Sequence, residues 1–435
     1  MTQRYDTYKD SGVQWLGEIP GHWGCVSLKR LINKIESGVS VNGSISQAAS
    51  ENEFGVLKTG CVSFRIFNPL QNKLVVGEEC KRLACPVRGN TIIVSRMNTP
   101  ELVGACAFVD KDYPNLFLPD RLWQVYFCDK TSAKFLHWML NSQTVRNRYA
   151  QICVGSSSTM QNISQVQFSE TIIPLPPLSE QRSIVSFLDA KCGKIDEWVT
   201  KKQKEVEHLQ ELKQRVIADA VTRGLNPHVK MKATNIPWLK EIPEHWECVK
   251  LKMFCQDNKE KNKGNIESCV LSLSYGNIIV KKNVNFGLVP ENYDSYQIVN
   301  PGNIILRLTD LQNDHKSLRT GLVKNRGIIT SAYVGLIVKN MNSEYTQLIL
   351  HSYDVMKVFY GMGGGLRQSM SYTDIANVYI PVPPLSEQRS IVSYLDAKCA
   401  KIDKLIANIT KEIECIKEYK QRLISDVVTG QIKVC

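Results

Sequence analysis

Pro174-Leu175-Pro176-Pro177-Leu178-Ser179-Glu180-Gln181-Arg182-Ser183-Ile184-Val185-Ser186 recurs from Pro381 to Ser393 with one difference, Val382 standing where Leu175 does, at an offset of 207 residues (174 to 381). A second motif is shared upstream of each copy. Trp15-Leu16-Gly17-Glu18-Ile19-Pro20-Gly21-His22-Trp23 returns as Trp238-Leu239-Lys240-Glu241-Ile242-Pro243-Glu244-His245-Trp246, at an offset of 223 (15 to 238). A repeat of this kind fixes architecture before any single motif does. The 435 residues are two tandem copies of one order: an opening motif, a segment of domain length, a proline-rich closing motif and a helix. Between the shared motifs the copies hardly resemble each other, as expected of one scaffold carrying two different targets.

Each closing motif runs into a helix start. Ser179 and Ser386 can cap, and Glu180 and Glu387 suit the positive end of the helix dipole. The first helix then places Leu188, Cys192, Ile195, Val199, Lys202, Val206, Leu209, Lys213, Val216 and Ala220 at alternating steps of four and three. The equivalent stripe in the second copy, Leu395 to Val427, is apolar except at Lys420. Such a stripe predicts two helices of about 33 residues, roughly 50 Å long, packed along a coiled-coil seam. Two separate amphipathic helices, each lying on its own domain, fit the same stripe. The connection from Gly224 to Pro237 can span only about 45 Å when fully extended. The second domain then belongs at the far end of the first helix, which predicts an antiparallel pair with one globular domain at each end and a pseudo-two-fold repeat. Lys202 and Lys213 depart from a uniform seam. Off the seam, Trp198, Leu212, Ile217, Val221, Leu405 and Tyr419 can either dock partner subunits or pack under the globular domains.

The divergent segments read as mixed α/β modules. Residues 24 to 173 contain short apolar strands such as Thr91-Ile92-Ile93-Val94 and Leu122 to Phe127, then a helix-like run near Phe135 to Tyr149. Residues 247 to 380 offer Asn303 to Leu306, Ala332 to Val338 and a helix near Tyr345 to Tyr360. After one strand in each copy comes a polar stretch, Ser95 to Thr99 in the first and Arg307 to Arg319 in the second. Their side chains are of the types that read base edges: Arg and Lys pair with guanine, Asn and Gln with adenine, and Asp accepts from cytosine. The candidates are Arg96 and Asn98 in the first copy, and Arg307, Asp310, Gln312, Asn313, Lys316 and Arg319 in the second. A Gly/Ser loop precedes each closing motif, Gly155 to Asn162 and Gly361 to Ser369. Small residues allow close backbone approach, so Gln161, Asn162, Arg367 and Gln368 can touch base or phosphate; a flexible connector accounts for the same composition.

Lys plus Arg number 54 against 42 Asp plus Glu, a formal charge of +12 that favours a polyanionic partner. No apolar stretch approaches the roughly 20 residues of a membrane helix, and the polar start lacks a signal-peptide core, so a cytoplasmic protein is expected. The 14 cysteines form no C-x-x-C and read as reduced structural thiols. A search for active-site patterns finds no G-x-x-x-x-G-K-[ST], no H-E-x-x-H, no deaminase-type Cys/His set and no Asn-Pro-Pro-aromatic run. Pro119-Asp120 has no nearby Glu-x-Lys with which to hold a nuclease metal.

The duplicated opening and closing motifs with their paired heptad helices resemble the specificity subunit of type I restriction-modification systems over nearly the whole chain. Arg307 to Arg319 and Gly327-Ile328-Ile329-Thr330-Ser331-Ala332-Tyr333 also resemble one class of that family's target-recognition domains. The resemblance implies an α+β fold: a first recognition domain with its opening motif over 1–177, a long helix over 178–224, a linker and second recognition domain over 225–384, and a second long helix over 385–435. It implies a bipartite double-stranded DNA target with a fixed gap and no cutting or methylation by this chain. Two methylation subunits that bind S-adenosylmethionine, and restriction subunits that use ATP and magnesium, are the implied partners. A self-contained DNA methyltransferase and a sequence-indifferent assembly scaffold are the competing readings.

Overall fold

The computed structural model describes residues 4–44, 48–157, 160–281, 292–314, 317–362 and 369–434. The chain divides into two compact units, Met1–Lys202 with Lys411–Cys435, and Gln203–Thr410. Each unit holds one opening motif, one divergent segment and one closing motif, with the first part of one long helix and the last part of the other.

In the first unit the opening motif closes a hairpin of β1 (Tyr8–Asp10) and β2 (Glu18–Pro20). The strand after it, β3 (Gly24–Ser27), pairs antiparallel with β11 (Ile172–Leu175), which leads into the closing motif. Between them an antiparallel sheet has the order β7 (Cys106–Val109), β5 (Thr91–Ser95), β8 (Leu122–Phe127), β4 (Ile32–Ser37). Successive strand residues face opposite ways. Ile92 and Val94 therefore join Phe135, Leu136 and Met139 in the main core, while Ile93 joins Leu57, Val87 and Leu116 beneath a smaller sheet. The short strands β6 (Met97–Asn98), β9 (Val154–Ser157) and β10 (Met160–Asn162) form a separate sheet.

The helix-like run near Phe135 to Tyr149 is two helices, α1 (Ala133–Leu140) and α2 (Gln143–Ile152). The break comes at Asn141 and Ser142. Ser142 caps α2, and the buried Asn141 side-chain amide donates to the Cys106 carbonyl.

The second unit repeats this plan on unrelated residues. A hairpin of β12 (Met231–Ile236) and β13 (Leu239–Pro243) carries the opening motif, and β14 (Glu247–Lys250) pairs with β19 (Tyr379–Val382). Its sheet has the order β17 (Thr320–Leu322), β16 (Ile304–Leu306), β18 (Val334–Val338), β15 (Cys255–Asp257), matching the first strand for strand. Here α4 (Ser343–Val355) stops short of Tyr360, because Lys357 adopts a left-handed conformation (φ 62°) and a 3-10 turn follows.

The long helices are α3 (Leu178–Arg223) and α5 (Leu385–Val428), 46 and 44 residues and thus longer than the apolar stripe suggests. Each starts directly after its proline pair, with Gln181 and Gln388 amides donating to the Pro177 and Pro384 carbonyls at 3.0 Å. Ser179 and Ser386 therefore sit inside the first turn instead of capping it, since proline already supplies the pre-set φ of a helix start.

Within each unit the helix segments run antiparallel. In the first, Trp23 lies against both Glu180 at the start of α3 and Gly430 just past the end of α5, while Asp196 meets Lys420 at 2.7 Å. In the second, Glu387 and Trp246 flank Gly224 just past the end of α3, and Lys213 meets Asp403 at 2.7 Å. Two of the lysines that interrupt the apolar seam, Lys213 and Lys420, are thus each matched by an aspartate of the facing helix. Lys202 lies elsewhere, 5.9 Å over the Trp198 ring.

Candidate nucleic-acid interface

The shared motifs build the frame that carries the reader loops. The Trp23 indole donates to Glu180 at 3.0 Å, with His22 at 2.6 Å and the Tyr5 hydroxyl at 3.1 Å on the same carboxylate. Partial burial raises this carboxyl, but the three donors outweigh it and hold it below its ordinary value. In the second unit Trp246 and His245 contact Glu387 at 3.1 and 2.9 Å. The next residue reaches the other way. Gln181 accepts from the Ser132 amide at 2.9 Å and donates to the Pro176 carbonyl, fastening the start of α1. Gln388 accepts from the Asn342 amide and donates to the Pro383 carbonyl, fastening the start of α4. The Glu-Gln pair of each closing motif therefore ties the opening motif and the recognition module to one helix end.

In the first unit the polar stretch forms the excursion between β5 and β7, and the Gly/Ser loop comes back against it. Gln161 pairs with Asn98 and Asn162 with Met97 across the β6–β10 ladder, and the Ile163 amide donates to the Arg96 carbonyl at 3.0 Å. Arg96 and Asn98 thus lie beside Gln161 and Asn162, more than 60 residues further along the chain, and all four are half-buried. Arg96 Nε and Asn162 Oδ1 have no hydrogen-bond partner among the described residues. The Asn98 amide is used locally, donating to Ser95 and accepting from the Thr99 amide. From beneath, the buried Arg146 of α2 donates to the Val103 and Glu101 carbonyls at 2.6 and 2.8 Å and sets the shape of the excursion.

The second unit makes the same approach with other side chains. Its excursion leaves β16 at Arg307 and returns to β17, and the Met370 amide, at the far end of the second Gly-rich loop, donates to the Leu308 carbonyl at 2.8 Å. Leu308 and Leu311 are buried, whereas Gln312 and Asn313 are exposed at the tip. Asp310 takes a left-handed conformation (φ 58°) and accepts from Asn313 at 2.8 Å. Arg307 stands 3.6 Å from Asp314.

Arg319 occupies a different place from the one its residue type suggests. It is 0% exposed. Its guanidinium donates to the carbonyls of Arg307, Thr309, Asp310 and Asp314 and to the Tyr360 hydroxyl, so it supports the excursion from inside, as Arg146 does in the first unit. Beneath it the Asp354 carboxylate accepts from the Arg319 amide at 2.7 Å; burial raises that carboxyl above its ordinary value. Lys316, Arg367 and Gln368 lie outside the described residues.

Two further groups reach the rim, and of them Lys259, Lys261 and Arg121 carry no sequence signal. In the second unit a cleft of about 520 Å³ beside Met370 is lined by Lys259, Lys261, Ser331 and Tyr333, with Lys261 donating to Ser331 at 2.8 Å. In the first, Arg121 adjoins Arg96. Both come from turns distant in sequence from the polar stretches, and only strand pairing brings them to the rim.

Of the candidate docking residues, Leu212, Leu405 and Tyr419 are 45%, 50% and 53% exposed and Trp198 is half-buried. Ile217 and Val221 belong to the core of the second unit.

The family model described as the type I restriction modification DNA specificity domain matches residues 55–208 and 243–415. A putative type I restriction enzyme specificity subunit, MjaX, of Methanocaldococcus jannaschii is 24% identical, with 96% of each chain covered. The MjaVIII specificity subunit of the same organism is 28% identical over 61% of this chain and 63% of its own. Among solved structures, a chain of a type I R-M system superposes with a TM-score of 0.68 at 16% identity, covering 94% of this chain and 98% of that one. The HsdS subunit from Thermoanaerobacter tengcongensis gives 0.50 at 17%, covering 95% and 98%.

Proposed function

The chain belongs to the family of type I restriction-modification DNA specificity proteins, and on that premise we propose that each of its two units reads one half-site of a bipartite double-stranded DNA target. Its role is that of the sequence-recognition subunit. The observation that carries the half-site reading is the contrast within each unit between a repeated frame and a rim of its own. Trp23 with Glu180 and Trp246 with Glu387 are the same contact, whereas Arg96, Asn98, Gln161 and Asn162 face a different set in Arg307, Asp310, Gln312 and Asn313. Hydrogen-bonding side chains on preorganised loops are what direct readout of base edges requires. The charge of +12 supplies the sequence-independent attraction to phosphate.

In this reading the chain performs no reaction. Two methylation subunits bring S-adenosylmethionine and restriction subunits bring ATP and magnesium, all in the cytoplasm. No described helix is long and apolar enough to cross a membrane. Leu212, Leu405, Tyr419 and Trp198 are the proposed docking positions for those partners.

The test is methylation mapping in a host without its own DNA methylation, with this chain and its methylation subunit expressed together and, as control, the methylation subunit alone. Methylation at one two-part motif with a fixed gap, lost without this chain, is the expected result. An assembled, soluble complex that methylates no such motif overturns the proposal.

A further inference from the structure

We infer that Arg121 is a specificity-determining residue of the first unit, reading a guanine edge together with Arg96; this rests on the half-site reading above. The β5–β8 ladder pairs Ser95 with Leu122. One step further out Arg96 stands opposite Arg121, and the Arg96 amide donates to the Arg121 carbonyl at 3.1 Å. Residues opposed on antiparallel strands share a face with their Cβ atoms roughly 5 Å apart, and like charges so placed repel each other. Neither arginine has a carboxylate within ion-pair distance among the described residues, whereas Arg82 and Arg88 of the same unit are paired with Glu79 and Asp112. Two opposed arginines without a counter-charge are a site for electron-rich acceptors.

The surroundings favour a base edge over a phosphate. Arg96 is half-buried with its Nε unpartnered among the described residues, and Arg121 is exposed beside it. On the other side of Arg96, the Ile163 amide bonds its carbonyl, which brings Asn162 and Gln161 alongside. The arginines thus adjoin the Gln161 side of that strand, whose amide suits adenine, and their forked donors match the O6 and N7 acceptors of guanine. In the second unit the same ladder pairs Leu306 with Val334, so Tyr333 stands opposite Arg307, which is 3.6 Å from Asp314. The guanine-reading pair therefore belongs to the first unit, and the two half-sites differ in composition at this position.

The test uses the full chain with its methylation subunit and three kinds of duplex: the mapped motif, the motif with each G·C pair of either half-site replaced in turn, and an unrelated sequence. Arg121→Ala is expected to weaken binding to the mapped motif roughly ten-fold or more and to abolish discrimination at one G·C pair of one half-site. The other half-site and the unrelated duplex stay unchanged. Arg121→Lys keeps the charge and loses the planar fork, so it weakens that discrimination without removing it. Equal weakening on mapped and unrelated DNA makes Arg121 a phosphate contact and overturns the inference, as does unchanged binding. Thermal melting of both variants checks folding, which the exposed Arg121 side chain does not support. If the unsubstituted complex methylates no two-part motif, the half-site reading fails first and this inference falls with it.

Discussion

The first and second units support equivalent excursions with a buried arginine, but the arginine comes from different places. In the first, Arg146 reaches up from α2 to two carbonyls. In the second, Arg319 sits on the excursion itself, at its return to β17, and gathers four carbonyls and a tyrosine hydroxyl. The frame below is the same in both, down to the Trp–Glu and Gln–backbone contacts. Loop carbonyls buried away from water must find donors, and any nearby guanidinium meets that need. The frame is therefore held to one solution, while the support of each rim is free to change with the loop it carries.

The largest test of this contrast is Arg319→Ala. It is expected to cost about 3–5 kcal/mol, because several buried carbonyls lose their donor at once; Arg146→Ala, with two carbonyls, should cost about 2–3 kcal/mol. Denaturant unfolding with hydrogen exchange resolved by unit measures both. Equal losses would mean that the two supports are interchangeable.

Lowering the pH comes next. Burial, then nearby Lys213, pushes His351 down to about 4, and burial does the same to His137 in the first unit. The unfolded imidazole takes a proton near 6.5 that the folded one refuses. Stability is thus complete above about pH 6.5 and falls as pH drops toward 4, by about 2–3 kcal/mol for the well-buried His351. His351→Gln should flatten this response in the second unit alone, as read by unit-resolved exchange at pH 7 and 4.5. An unaltered pH response would break the assignment.

The frame should answer symmetrically. Glu180→Gln and Glu387→Gln each weaken charge-assisted bonds to a buried tryptophan, and each should cost about 1–2 kcal/mol. Thermal melts of the two variants that differ widely would show that the frame is not equivalent in the two units.

Smallest are the seam pairs. Asp196 and Asp403 are more than half exposed, so Asp196→Asn and Asp403→Asn should each cost only about 0.2–1 kcal/mol, an effect that added salt removes. Denaturation at low and high salt decides this.

Several features were legible because they depend on local pattern. Short apolar runs placed the strands Thr91–Ser95, Leu122–Phe127 and Ile304–Leu306, and the seam placed both long helices. Arg96, Asn98, Gln161 and Asn162 were candidates from residue type, and β6 and β10 bring them together. Arg319 was read by the same rule, yet it lies inside the loop, since an arginine that binds carbonyls and one that binds bases look alike in a sequence. Arg121 carried no signal, because it precedes a strand in an ordinary turn.

By itself the sequence determined the duplication, the helical seam and the division between a constant scaffold and variable segments. These are periodic or repeated properties, written in residues close together along the chain or at a fixed offset. Only the tertiary structure decided which polar residues share a rim, which arginine is buried, and which aspartate answers Lys213 and Lys420. Those facts depend on strand register and helix facing, and register is set by burial across the whole unit.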